Sequence, residues 1–127
     1  MEIKLCSIYV DDQAKALSFY TDVLGFVLIN DVPASEFRWL TVGSADQPGL
    51  ELVLEPNIHP AATAYQEALF KEGIPATALF TQDMDEEYKQ LLGKGVTFQA
   101  EPVSIPGGPK LAVFNDTCGN WIQLVQG

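Results

Sequence analysis

The chain has 127 residues, a hydrophobic fraction of 47% and a formal net charge of −10, which are typical of one folded domain and exclude a disordered chain. Seventeen acidic residues against seven basic ones oppose binding to nucleic acid or to an acidic membrane surface. No apolar run approaches the roughly 20 residues that span a bilayer, and the first residues lack the features of a signal peptide, so we expect a cytoplasmic protein.

The first predicted elements run strand, helix, strand, strand, strand. Residues 3–10 alternate in polarity as a strand does, Asp11 or Asp12 can cap the helix that follows, and Gly25 can end it. Apolar spacing predicts the buried stripe of this helix at Leu17, Tyr20 and Leu24. Three further strands, joined by polar loops such as DVPAS, are predicted at 26–29, 37–42 and 50–54.

The second half of the chain begins after a segment without a counterpart in the first. A helix predicted at 61–72 and stopped by Gly73 and Pro75 acts as a linker or as a lid. Asp83 with Glu86 then resembles a capping box. The buried stripe of this helix is predicted at Tyr88, Leu91 and Leu92. Strands are predicted at 96–100, 110–114 and 120–125.

The two halves echo each other. The first contains YVDDQAKALSFYTDVLGF from Tyr9, and the second contains FTQDMDEEYKQLLGKGVTF from Phe80, roughly 71 residues later. In both, a strand ends in acidic residues, an amphipathic helix follows, and a glycine turn leads into another strand. The pattern indicates a duplicated unit, and a cleft between two half-domains is the expected ligand site.

Three segments, VDDQAKALSFYTDVLGF, LELVLEPN and NDTCGNWIQLVQG, carry a family resemblance through their order and duplication. The chain resembles the vicinal oxygen chelate (VOC) superfamily, which includes glyoxalase I, bleomycin-resistance proteins and extradiol dioxygenases. The resemblance implies an α+β fold in which two tandem βαβββ modules form a curved, half-barrel sheet around a cavity. It implies a single domain over 1–127, with module one at about 1–55, a linker helix at about 56–75 and module two at about 76–127.

The metal enzymes of the family place ligands at four repeat-related positions. By the resemblance these positions are Leu5, Glu51, Ala76 and Gln123, with Thr77 replacing Ala76 if the register shifts by one. Divalent metals require imidazole, carboxylate or thiolate donors. Leucine and alanine offer none, and a neutral amide is a weak donor, so only Glu51 remains. We therefore expect no bound metal and no cofactor.

Glu51 is the strongest candidate for a functional residue. Its carboxylate can face the cavity, where it would accept hydrogen bonds from a ligand or act as a general base. Alternatively, it can face solvent or pair with a donor such as Arg38, the only arginine. Arg38 itself is expected to form a surface pair with an acid. Gln123 occupies the equivalent place in the second half, where ligand recognition and a structural role are both open.

The remaining predicted ligand-binding residues are mostly aromatic, because flat rings bury much area and stack on planar ligands. They are Ser7, Tyr9, Phe37, Trp39, Phe80 and Trp121. Together with Glu51 and Gln123 they predict a metal-independent small-molecule-binding protein whose cavity takes an apolar or aromatic ligand. The alternative is a VOC-type enzyme, either a lyase, isomerase or dioxygenase, that is metal-dependent or uses Glu51 as a general base. A homodimer is expected because a second copy commonly closes exposed sheet edges.

Overall fold

The computed structural model describes all residues, Met1–Gly127, and divides into two compact units, Met1–Tyr65 and Gln66–Gly127. Each unit contains one four-stranded mixed sheet with helices, and neither sheet closes into a barrel. The expected α+β fold with two tandem modules is therefore confirmed. No helix is both long enough and apolar enough to cross a membrane.

The first unit contains the sheet order β1-β4-β3-β2. Its elements are β1 (Leu5–Val10), α1 (Gln13–Ser18), a π-helix (Phe19–Val23), β2 (Val27–Ala34), β3 (Phe37–Gly43) and β4 (Glu51–Pro56). The helix α2 (Pro60–Lys71) carries the boundary between the units. The second unit continues with β5 (Pro75–Phe80), α3 (Met84–Gly93), β6 (Val103–Ser104), β7 (Lys110–Asn115) and β8 (Trp121–Gln126), in the order β5-β8-β7-β6.

The helix of the first unit begins as predicted, because the Asp12 side chain accepts a hydrogen bond from the Lys15 amide. Its buried stripe differs from the prediction. The most buried side chains are Gln13, Ala16, Phe19 and Tyr20, whereas Leu17 and Leu24 are only half-buried. For Leu24 the reason is the π-helix that follows α1, in which the amide of residue 24 bonds to the carbonyl of residue 19. Its wider turn rotates the later side chains relative to an α-helical stripe.

The strand β2 is longer than predicted and absorbs most of the expected DVPAS loop. It pairs with β3 from Val27↔Gly43 to Ala34↔Phe37, with a bulge between Leu28 and Asn30. The connection is a tight turn in which Ser35 has a φ of 59°. Because β2 is the edge strand of its sheet, Pro33 costs no ladder hydrogen bond, which explains why a proline stands inside a strand.

The first sheet is split between β3 and β4. These strands pair only at Thr41↔Val53 and Val42↔Leu52. Beyond those pairs the buried side chain of Gln13 bridges them, donating from Nε2 to Arg38 O at 2.8 Å and to Leu54 O at 2.9 Å. Its Oε1 accepts from the Arg38 amide at 3.1 Å. A side-chain amide thus replaces backbone pairing at this end of the sheet, which we call the split.

The second unit has no such split. The strands β7 and β8 pair continuously from Lys110↔Gln126 to Asn115↔Trp121. The residue that follows the capping Asp83 is Met84, the counterpart of Gln13 after Asp12, and it is fully buried. An apolar side chain at this position packs against a closed sheet. The two halves therefore differ at this repeated position, which holds glutamine beside the split sheet and methionine beside the continuous one.

Two predictions for the second unit are wrong. Leu92 of α3 is 46% exposed, whereas Met84 and Leu91 are buried and Tyr88 is half-buried against Phe98. The strand expected at 96–100 is reduced to a single bridge, Phe98↔Phe114. Two backbone hydrogen bonds still tie this segment to β7, from the Gln99 amide to Val113 O and from the Asn115 amide to Thr97 O.

The predicted tight turn at 115–120 is built around a buried carboxylate. Asp116 Oδ1 accepts from the amides of Cys118 and Asn120 at 2.7 and 3.0 Å. The Gln66 side chain donates to Cys118 O and Asn120 Oδ1. Gly119 has a φ of +98°, where a side chain would be strained. These bonds fix the turn that leads into β8.

Candidate functional site

The two faces of the first sheet differ in polarity and exposure. Side chains of one parity pack towards α1 and form the core, among them Ile8, Val10, Leu40, Val42 and Leu54. We call the opposite surface the site face. The strand register places on it Leu5, Ser7, Tyr9, Phe37, Trp39, Thr41, Glu51, Val53 and Glu55. Five of the predicted site residues therefore share one face of one sheet.

The site face carries exposed aromatic surface, which a core would bury. Tyr9 is 39% exposed and Trp39 is 40% exposed. Tyr9 lies beside Glu55 in the β1–β4 register, and Ser7 lies beside Val53. Exposed aromatic rings next to polar groups are typical of surfaces that bind small molecules.

Glu51 is held by two neighbouring strands. Its Oε1 accepts a hydrogen bond from Thr41 Oγ1 at 2.7 Å and one from Asn30 Nδ2 at 2.9 Å. Asn30 also donates to Thr41 Oγ1 at 3.1 Å, so the three side chains form one network. No hydrogen bond within the chain ends on Glu51 Oε2, and no unpartnered side-chain oxygen is buried. One carboxylate oxygen is therefore fixed, and the other remains accessible to a ligand.

The partners of Glu51 are not the ones that the sequence suggested. Arg38 lies on the opposite parity of β3 and binds Asp31 through two hydrogen bonds, at 2.9 and 2.7 Å. This confirms the predicted surface pair. The hydrogen bonds and charge of Arg38 hold the pKa of the Asp31 carboxyl below its usual value, and Asp31 in turn raises the pKa of Arg38.

A pocket of about 240 Å³ lies at the split. Phe37 and Trp39 of β3 and Val53 and Glu55 of β4 are among its lining residues. The pocket forms where β3 and β4 no longer pair, because the Gln13 bridge holds the strands together without closing them. Its size fits an aromatic group of one or two rings.

The sequence reasoning missed Asn30, Thr41, Glu55 and Gln13. Asn30 and Thr41 are polar residues within apolar strands, which is a usable signal, but only the register shows that they meet Glu51. Gln13 is a polar residue at a buried position where the second half has an apolar residue, Met84.

The other three predicted site residues lie in the second unit. Gln123 is half-buried between Ala78 and Val113 in the strand register. Phe80 is 76% exposed. The Trp121 ring stacks on Phe70, with ring centroids 5.1 Å apart, and its Nε1 donates to Phe70 O at 3.0 Å. The structure therefore gives Trp121 a contact that fixes the last turn of α2.

The residues at the four family metal positions do not fit a divalent metal. Leu5 lies opposite Glu51, as the resemblance implies. In the second unit Ala78, rather than Ala76 or Thr77, lies opposite Gln123, and a bulge between Pro75 and Thr77 accounts for one residue of the shift. No group of three or more His, Cys, Asp or Glu side chains could hold a metal ion. These positions supply one donor side chain in each unit, the Glu51 carboxylate in the first and the Gln123 amide in the second, which is too few to hold a divalent metal.

Comparisons with known proteins agree with the fold. The family model of the Glyoxalase/Bleomycin resistance protein/Dioxygenase superfamily matches residues 2–124. The chain is 54% identical over 127 residues to the uncharacterized protein YurT of Bacillus subtilis (strain 168), covering 99% of each chain. It is 36% identical to UcmS2, whose crystal structure superposes with a TM-score of 0.86 over 100% of this chain and 98% of that one. It is 31% identical to TnmS3, an antibiotic binding protein from Streptomyces sp. CB03234, with a TM-score of 0.78 over 99% of this chain and 95% of that one.

Proposed function

The chain belongs to the Glyoxalase/Bleomycin resistance protein/Dioxygenase superfamily, and from this premise we propose that it is a metal-independent small-molecule-binding protein for an apolar or aromatic ligand. One observation carries the proposal: the site face exposes aromatic side chains beside a pocket at the split. The antibiotic-binding relative TnmS3 supports it, since that chain shares 31% of its residues with this one.

The physical basis of binding is burial against Phe37 and Trp39, with Glu51 as a polar handle. Removing about 200 Å² of apolar surface from water would contribute ~5 kcal/mol at ~25 cal/mol per Å². Part of this gain offsets the loss of translational and rotational freedom. A hydrogen bond from the ligand to Glu51 Oε2 would add orientation, because Oε1 is already held by Thr41 and Asn30.

A second candidate is an enzyme that uses Glu51 as a general base. The observation that favours it is the accessible Oε2 of a carboxylate whose position is fixed by two donors. The metal-dependent form of this alternative has no comparable support, because Leu5 and Ala78 offer no ligand atom beside Glu51 and Gln123.

The test is a thermal-shift screen of aromatic and apolar compounds, since a ligand that binds the native state raises its melting temperature. Hits are then measured by calorimetry against Trp39→Ala, with Tyr65→Ala as the control because Tyr65 is an exposed aromatic residue of α2, outside the site face. We expect Trp39→Ala to weaken binding about ten-fold or more, and Tyr65→Ala to leave it unchanged. Hits that respond equally to both variants would contradict the proposed site.

Glu51→Gln separates the two candidate functions. A binding protein should lose the hydrogen bond at the second oxygen but keep its apolar contacts, so its affinity should fall by no more than about ten-fold. An enzyme should keep binding and lose turnover, which mass spectrometry of each incubated hit would detect. Turnover by the wild type that disappears in Glu51→Gln would replace the binding proposal with the enzyme.

The proposal includes a homodimer and a cytoplasmic location. The edge strand β2 carries exposed apolar side chains, and such an edge is commonly covered by a second copy. These side chains are Val27, Leu28, Ile29 and Val32. Sedimentation equilibrium is expected to give twice the mass of the 13.9 kDa chain. A monomeric mass at micromolar concentration would refute the dimer.

A further inference from the structure

We infer that the pocket at the split selects ligands that carry a positive charge beside a flat apolar body, such as an aromatic amine in its ammonium form. This inference rests on the proposed binding function and names the class of its ligand. It rests on the carboxylate of Glu55, whose surroundings differ from those of Glu51.

Glu55 lines the pocket without a partner. It is half-buried on β4, and no hydrogen bond or ion pair of the structure involves its side chain. Glu51, by contrast, is bound by Thr41 and Asn30. A half-buried carboxylate without a partner in the chain is available to accept a charge-assisted hydrogen bond from a cationic ligand.

No cation of the chain is placed to neutralise Glu55. The side chains on the site face include two carboxylates, Glu51 and Glu55, and no lysine, arginine or histidine, because Arg38 lies on the opposite parity of β3. Arg38 also lines the pocket, but its guanidinium is engaged by both oxygens of Asp31. The pocket therefore has a negative local charge within a protein whose formal net charge is −10, which attracts cations and repels anions.

Two aromatic side chains stand beside this carboxylate. Phe37 and Trp39 lie two residues apart on β3, so both point to the site face, and both line the same pocket as Glu55. Aromatic faces attract cations through their negative quadrupole, and tryptophan does so most strongly. A flat ring can stack here while its charged substituent reaches Glu55. The arrangement thus favours a cation over a neutral molecule of the same shape.

The test uses three probes with one ring system and three charges: 2-naphthylmethylammonium, 2-naphthylmethanol and 2-naphthoate. Binding is measured by calorimetry and by Trp fluorescence on the wild type, on Glu55→Gln and on Glu101→Gln. The last is a matched control, because Glu101 is exposed outside every strand and its replacement changes the net charge equally. We expect the ammonium to bind wild type about five-fold more tightly than the alcohol, and the naphthoate to bind least.

Glu55→Gln should reduce the preference for the ammonium over the alcohol to less than about two-fold, whereas Glu101→Gln should preserve it. Raising the salt from about 20 mM to about 300 mM should weaken the ammonium selectively, a result that needs no variant to fold. Equal binding of ammonium and alcohol to the wild type, or a preference that survives in Glu55→Gln, would overturn the charge selection and leave the binding function intact. Failure of all three probes to bind would count against the proposed site itself.

Discussion

Replacing Gln13 by methionine should destabilise the protein, because it removes the only bridge across the split. The change keeps the length of the side chain and reproduces the residue of the second half, Met84. It removes three hydrogen bonds, one of them buried, to Leu54 O, and two partly buried, to the backbone of Arg38. An orphaned buried acceptor costs about 1–3 kcal/mol, and each partly solvated bond about 1 kcal/mol. The expected loss is about 3–5 kcal/mol.

Urea unfolding followed by circular dichroism measures this loss, and hydrogen exchange locates it. The amide of Arg38 should exchange faster in Gln13→Met, since its acceptor is gone. Gln90→Met is the control, because Gln90 is exposed and donates only to Glu86. That change should alter stability by less than about 0.5 kcal/mol.

A variant as stable as the wild type would refute the reasoning. It would mean that β3 and β4 can pair by themselves beyond Val42, as β7 and β8 do in the second unit. A destabilised variant in which the Arg38 amide keeps its protection would also count against the bridge. The cost would then come from packing of α1 rather than from the split.

The remaining predictions concern a turn and an ion pair. Gly119→Ala should destabilise by about 2 kcal/mol or more in urea, because φ is +98° and the new Cβ would lie 2.8 Å from Nε2 of the buried Gln66. Gly93→Ala in α3 is the control, because nothing lies within 4 Å of a Cβ at that position. It should be neutral or stabilise by up to about 1 kcal/mol. A loss of stability in Gly93→Ala equal to that in Gly119→Ala would contradict the steric explanation. Asp31→Asn should lower the urea midpoint at pH 7, because it removes the ion pair with Arg38. Arg38 lowers the pKa of Asp31 in the folded state. The stabilisation from this ion pair is therefore present above the unfolded-state pKa of the carboxyl group and is lost as the pH falls through its folded-state pKa. The gap between wild type and variant should therefore shrink towards pH 3, and a constant gap would show that the charge of Asp31 is not responsible.

The sequence predicted the elements whose signals are local. Asp12 and Asp83 cap their helices as their spacing indicated, and each acid accepts from the amide three residues later. Alternation along β1 placed Ser7 and Tyr9 on one face, and the same rule placed Phe37 and Trp39 together. Periodicity of two is a property of single strands, so it is readable without knowing their partners.

The features that the sequence did not predict depend on pairing between distant segments. The side chains that hold Glu51 come from β2 and β3, and nothing local predicts their register. Ala78 lies opposite Gln123, two residues from the Ala76 that the repeat alone assigned, and the bulge in β5 accounts for one residue of that shift. The π-helix changed the buried stripe, because one wider turn is invisible in apolar spacing.

The duplication gives this protein an internal reference for its own chemistry. Each half builds the same strand order around one capped helix, but only one half has an amide where the other has a thioether. The half with Met84 shows that the same strand order forms with continuous backbone pairing and without a side-chain bridge. The opening in the first sheet is therefore a feature of one half alone, and the second half shows the same strand order without it.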